Sequence, residues 1–157
     1  MLKVAQKKVK GFTLIEILLV IAILSVLSVV VYVALNPAGR LADTRNSRRF
    51  GDVNNVLTAL HECIVDEDGV LANCGLSTSL AETELGTCAA GGSSCTGLVN
   101  ACLDVSTELA PYLKSIPQDP LVSTTGNTGY SITVDANNLV TVKACGAESG
   151  QVIEVSR

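Results

Sequence analysis

KKVKGFTLIEILLVIAILSVLSVVVYVAL, residues 7–35, is the stretch on which the reading of the whole chain turns. From Ile17 to Leu35 it carries no charge, and at 1.5 Å of helical rise per residue the run from Phe12 to Leu35 would measure about 36 Å. A bilayer's hydrocarbon core is roughly 30 Å thick, so the segment is long enough to span it. Lys3, Lys7, Lys8 and Lys10 flank its N-terminal end, and no basic residue follows until Arg40. The positive-inside bias therefore keeps the N-terminus cytoplasmic and sends the remainder outward. Glu16 interrupts the apolar pattern. A carboxylate within a membrane helix costs roughly 2–3 kcal/mol or more unless it is paired or protonated, so it calls for an explanation: a charged partner, or a place at the membrane interface from which it snorkels to water.

Gly11-Phe12-Thr13-Leu14-Ile15-Glu16, behind a short basic leader and ahead of an apolar run, resembles the class III signal of type IV pilins and pseudopilins. The resemblance implies that a membrane aspartyl prepilin peptidase cuts between Gly11 and Phe12 and methylates the new amine of Phe12. It implies that Glu16 is the assembly carboxylate and that mature subunits form a helical filament. The partners it implies are identical or related pilin subunits, the peptidase, and a membrane-embedded assembly platform with a cytoplasmic ATPase. It also implies single-pass anchorage in the inner or cytoplasmic membrane before assembly and an extracellular filament afterwards. Physical chemistry is consistent with this. A free amine at Phe12 and a carboxylate about 4 Å away attract by on the order of 4 kcal/mol at an effective dielectric of 20, which offsets the burial of Glu16. The pair can form within one helix or between neighbouring subunits, and the second arrangement would set register during assembly.

A secretory signal peptide fits less well, because its apolar core is about 7–15 residues and ends in a small-x-small site. A lipoprotein would need a cysteine just after the apolar run, and the first is Cys63. An ordinary single-pass anchor leaves both Glu16 and the Gly11-Phe12 junction without a role.

The resulting division is a leader at 1–11, a membrane or filament-core helix at 12–36, an amphipathic continuation at 37–69 and a small head at 70–157. Loss of the leader, with its four lysines and no acid, takes the formal net charge from −4 to −8. An acidic subunit makes a poor generic nucleic-acid binder, since phosphates demand a basic footprint. The 157 residues are 48% hydrophobic but only 3% aromatic, which leaves room for one modest core beside the membrane helix.

Pro37 and Gly39 predict a kink rather than an end to the helix, because helical periodicity resumes at once. Phe50, Val53, Val56, Leu57, Leu60 and Ile64 recur at three- and four-residue steps and predict an apolar face. Arg45, Arg48, Arg49, Asp52, Asn55 and Glu62 fall on the other side, with Arg48 and Asp52 spaced for a surface pair. Arg40, Arg45, Arg48 and Arg49 form a basic cluster with two readings: a solvated face near anionic headgroups, or partners for acids of neighbouring subunits. Ala22, Ser25 and Ser28 would permit close helix approach.

Asp66-Glu67-Asp68-Gly69 predicts the helix terminus. Residues 70–100 read as loop-rich with a short helix at Ser79–Leu85, and Ser106 or Asp104 caps another running to about Leu113. Pro117 and Pro120 mark an extended crossing. Beyond it, Tyr130, Ile132 and Val134, then Val140 and Val142, then 152–156 alternate with polar residues and predict a three-stranded antiparallel meander at about 129–156. The expected fold is α+β: a long N-terminal helix, with a transmembrane first half and an amphipathic second half, packed on a small antiparallel sheet. That order resembles the pilin fold, and the Pro-x-Asp-Pro within 112–130 resembles the stretch before the strands in major pseudopilins, where a nearby loop can bind calcium. Asp119 and Asp135 are the candidate carboxylates here, too few for calcium's six to eight oxygen ligands unless backbone and water supply the rest.

Cys63, Cys74, Cys88, Cys95, Cys102 and Cys145 all lie on the exported side, and an even count in a small extracytoplasmic domain argues for three disulfides. Local proximity favours Cys63–Cys74, Cys88–Cys95 and Cys102–Cys145. Zinc competes poorly, with no Cys-x-x-Cys and a single histidine. His61 reads as a helix-surface residue rather than a catalytic base. Gly91-Gly92-Ser93-Ser94 lacks the lysine of a phosphate loop. No cofactor is implied, and the chain reads as a substrate of the peptidase rather than an enzyme. Three functions follow from this reading: a structural pilin for adhesion, motility or related surface work; a pseudopilin of a type II secretion system; or a membrane-anchored binding domain that never assembles.

Overall fold

The computed structural model describes residues 11–89, 93–98, 101–122, 124 and 126–157. The leader lysines and the Gly91-Gly92 pair lie outside the described residues. Two compact units divide the chain after Ala38.

The first unit is dominated by α1, Leu14–Leu35, none of whose residues is buried. It is apolar on all sides, as a helix surrounded by lipid or by other helices has to be. Ser25 and Ser28 donate their hydroxyls to the carbonyls of Ile21 and Leu24, both at 2.7 Å, so neither leaves a polar group unsatisfied along the helix. The helical conformation is given up at Asn36, which is left-handed (φ 40°, ψ 64°) and donates its N–H to Val33 O. Helix α2, Pro37–Asp66, then starts on a proline, which suits a first helical position because its missing N–H has no acceptor there. The interruption is thus one residue wide and precedes the proline.

In the second unit α2 buries Val53, Val56, Leu57, Leu60 and Cys63 in the same core as Tyr130, Ile132, Val134, Val140 and Val142 of the sheet. Phe50 is not part of this face: it is 56% exposed, while Arg49, assigned by pattern to the polar side, is wholly buried. The inward line of the first turns runs through Ala42, Asn46, Arg49 and Val53, so polarity misplaces the stripe by one position there. The helix ends as Asp68 and Gly69 turn left-handed and Gly69 donates to Ile64 O at 2.8 Å.

A single 3₁₀ turn, Leu71–Cys74, follows. The strands are β1 Thr83–Gly86, β2 Cys102–Leu103, β3 Asn127–Val134, β4 Val140–Ala144 and β5 Glu154–Ser156, with a one-turn helix α3 at Ser106–Leu109. Their order across the sheet is β2-β1-β3-β4-β5. β3, β4 and β5 form the antiparallel meander, with Ile132 opposite Val142 and Val142 opposite Val155. β1 adds antiparallel to β3, and β2 adds parallel to β1. The architecture is α+β and pilin-like. The short helix expected at Ser79–Leu85 is corrected: Thr83–Gly86 is a strand, because pairing with β3 and burial of Leu85 outweigh a weak local helical pattern. The second expected helix keeps only its first turn, with Asp104 Oδ1 accepting from Ser106 N at 3.0 Å and Pro111 following two residues after its end.

Candidate functional site

Thr13 and Glu16 set the start of α1. Glu16 Oε2 accepts from the Thr13 backbone N–H at 2.7 Å and from its hydroxyl at 2.8 Å, and Glu16 N–H donates back to Thr13 Oγ1 at 3.3 Å. This is a reciprocal capping box, in which one carboxylate and one hydroxyl satisfy donors that a helix start otherwise leaves open. Both residues lie beyond the Gly11–Phe12 bond, so cutting that bond leaves the box intact. Glu16 thus has a partner in Thr13 of its own chain, independent of any terminal amine. Phe12 itself is 85% exposed.

In the head, a polar cluster joins α2 to two distant segments. Arg49 is fully buried, donates Nε and Nη2 to the carboxylate of Asp119 (Nη2 to Oδ1 3.1 Å), and donates Nη1 to Glu148 Oε2 and Asn46 Oδ1, both at 2.8 Å. Arg45 grips Glu148 with two bonds of 2.6 Å, and Asn46 Nδ2 donates to Gln151 Oε1 and to Glu148 O. The two guanidiniums hold the Glu148 carboxyl down at about 2, the Arg45 hydrogen bond contributing most. Asp119 is brought to this point because its N–H donates to Thr128 O at 2.8 Å, docking the Pro-x-Asp-Pro crossing on β3. Gly129 makes that approach possible: at φ +77° a Cβ there would stand 2.8 Å from Asp119 Cβ.

The cluster corrects the reading of two of the arginines. Arg45 and Arg49 find their acids within the chain. Asp119, one of the two calcium candidates, has both oxygens accepting from Arg49, so a cation there would have to displace a guanidinium. Asp135 instead orders the β3–β4 turn, where Oδ1 accepts from Asn137 N and Leu139 N; the bond from Leu139 leads in holding its carboxyl below the usual range.

Glu84 is a second buried carboxylate that the sequence reading missed. Burial alone would raise its pKa, but hydrogen bonds from the Ser93 and Ser94 hydroxyls and from the N–H groups of Gly129 and Ser94 lower it overall. Those donors, with the Cys95 N–H at 3.3 Å, fasten the 93–95 loop over the face of the sheet opposite the α2 core. The loop carries Cys95 to Cys145, and the disulfides are Cys63–Cys74, Cys88–Cys102 and Cys95–Cys145. The pairings Cys88–Cys95 and Cys102–Cys145 are thus corrected. Parallel pairing sets Cys102 opposite Glu84, close to the end of β1 where Cys88 follows, and that long-range register overrides proximity in sequence. The carboxylate of Glu84 and the sulfurs of Cys88 and Cys102 lie within 4.8 Å of one another, but sulfurs bonded to each other offer no thiolate to a metal. His61 is half-buried on α2 beside Glu62 and Tyr112, in a hollow of about 520 Å³ that also holds Thr58, Val65, Asp66 and Arg157.

An apolar helix opened by a glycine, a threonine cap and a glutamate, leading to a head of one amphipathic helix on a small sheet, defines a pilin-like protein. Residues 6–32 match the family described as the prokaryotic N-terminal methylation motif, the class III signal of type IV pilins and pseudopilins. No curated protein and no solved structure matches the chain. The match, confined to the N-terminal segment, supports a likeness to type IV pilins and pseudopilins.

Proposed function

We propose that this chain is the structural subunit of a type IV pilus-like filament, used for adhesion, motility or related surface work. The methylation motif at residues 6–32 carries the reading, and the disulfide-braced head supports it. The peptidase cuts between Gly11 and Phe12 and methylates Phe12. The mature subunit waits in the membrane with its N-terminus cytoplasmic, and an assembly platform driven by a cytoplasmic ATPase adds it to the filament through α1. Glu16, held by Thr13, presents one carboxylate near the Phe12 amine of its own chain or of a neighbour. The protein acts by assembling, not by catalysis.

A second reading, a type II secretion pseudopilin, draws on the Pro-x-Asp-Pro crossing that Asp119 pins to α2. Two observations test these readings. The N-terminal peptide from sheared surface material is expected to begin at Phe12 and to carry one extra methyl. A peptide beginning at Met1, from cells with active peptidase, would leave a simple membrane-anchored domain. Long surface filaments favour the pilin, and short periplasmic ones the pseudopilin.

A further inference from the structure

Helix α2 keeps one stripe exposed along its whole course through the head. Arg40, Thr44 and Arg48, at steps of four, occupy its first turns. Gly51, Asn55 and Thr58 continue the stripe with small or neutral side chains, and Glu62 and Asp66 close it. Arg48 and Asp66 are eighteen residues apart, five turns at 3.6 residues each, so both project from the same face about 27 Å apart along the axis. The stripe is therefore basic at one end, acidic at the other and small between.

The chain's own salt bridges leave this polarity standing. Arg45 and Arg49 are consumed by Glu148 and Asp119, and Lys143 lies 3.3 Å from Glu82. Arg40 is exposed, and Arg48, 62% exposed, makes only a loose 3.7 Å contact with Asp52. At the other end Glu62 and Asp66 are exposed beside the hollow lined by His61, Val65 and Tyr112, where Tyr112 Oη donates to Asp66 Oδ2. Two opposite charges on one helix face, too far apart to meet within the chain, complement a second copy displaced along the axis.

We propose that this stripe is a head-to-tail contact between copies of this chain, in which Arg40 and Arg48 of one copy meet Glu62 and Asp66 of the next. The contact is heterologous, each copy offering its basic end to one neighbour and its acidic end to another, so it propagates rather than closing into a pair. The small middle lets the two helices approach. The charge spacing sets the axial stagger between contacting copies at about 27–33 Å, the rise of 18–22 helical residues. The proposal rests on the filament reading above and names the surface by which heads recognise one another.

The test is a charge-reversal cycle in full-length chains expressed in cells that assemble the wild-type protein, reading filament yield in the sheared fraction against protein held in the membrane. Arg40→Glu/Arg48→Glu and Glu62→Arg/Asp66→Arg each set like charges against each other and are expected to cut yield at least about tenfold, as a loss near 1.4 kcal/mol would. Arg40→Glu and Asp66→Arg suit the helix dipole, whereas Arg48→Glu gives up the contact with Asp52 and Asp66→Arg the hydrogen bond from Tyr112; the fourfold variant shares these local losses, so its recovery of filaments reports the contact between copies. The fourfold variant restores complementarity and is expected to recover filaments. Normal yield from both half-reversals would overturn the contact while leaving the filament reading intact. Loss with the arginine variant alone would assign Arg40 and Arg48 to anionic lipid headgroups and also overturn it, as would a fourfold variant that fails to recover. Absence of filaments from the wild-type chain itself would remove the filament reading and this contact together.

Discussion

Glu16 accepts from Thr13 at the start of α1, and Arg49 ties α2 to Asp119 and Glu148 in the head. Glu16 stands out because it interrupts an uncharged run, and its neighbours Gly11 and Phe12 give it a meaning. Its partner within the chain, Thr13, is equally legible as a Thr-x-x-Glu capping box. Arg49 offers no such signal: it reads as one of four arginines on a wet face, and only the fold brings Asp119, seventy residues away, against it. Two outcomes follow at this scale. Glu16→Ala is expected to leave processing at Gly11 intact, since the residue lies beyond the cut, and to lower filament yield sharply; normal yield in the sheared fraction would sink its assembly role. Arg49→Met leaves the buried Asp119 carboxylate without its guanidinium, with only the Leu121 N–H still donating to it, and is expected to destabilise the head by about 3–5 kcal/mol, as breaking a buried pair does. Adding Asp119→Asn should recover part of that loss in a denaturant titration, because it removes the uncompensated charge.

Elements were legible where one periodicity ran long enough. The α2 pattern from Val53 to Ile64 and the alternation in β3 and β4 each match their burial in the core. β1 and β2 were not legible, being four and two residues long with their identity supplied by β3 rather than by their own composition. The same short strands decide the disulfides. Parallel pairing of β2 on β1 brings Cys102 toward Cys88, and Glu84 ties the 93–95 loop so that Cys95 reaches Cys145. Proximity in sequence carries none of this. Peptide mapping of the unreduced protein is expected to recover a Cys88 peptide linked to Cys102 and a Cys95 peptide linked to Cys145. A Cys88–Cys95 peptide would contradict the register of β1 with β2. Glu84→Gln keeps the shape but weakens charge-assisted bonds to the loop, and is expected to raise hydrogen exchange at Ser94 and Cys95 without altering β3–β4 protection.

At the scale of the molecule, the head from Gly39 onward has its own core, its own sheet and three cross-links, so its stability is a property separable from α1. With few aromatics to bury, it relies on covalent and electrostatic ties between chain segments. Reductant is therefore expected to lower the melting temperature of the 39–157 fragment, each bridge contributing roughly 2–4 kcal/mol. The electrostatic ties give a pH dependence whose direction is fixed by the carboxylates. Glu148 is held at about 2 by Arg45 and Arg49, and Glu84, Asp104 and Asp135 are also below their ordinary values. A carboxylate depressed in the folded state binds fewer protons there than in the unfolded chain, so its contribution is complete above the unfolded value of about 4.3 for a glutamate. It is lost as pH falls through the folded value. The melting temperature of the fragment should accordingly be flat on the acid side of neutrality down to about pH 5 and should then fall progressively toward pH 2. Glu148→Gln removes one of the groups responsible, so the variant should start lower at neutral pH and show a shallower acid slope. Parallel curves for the variant and the wild type would mean that Glu148 is not held by its arginines in solution.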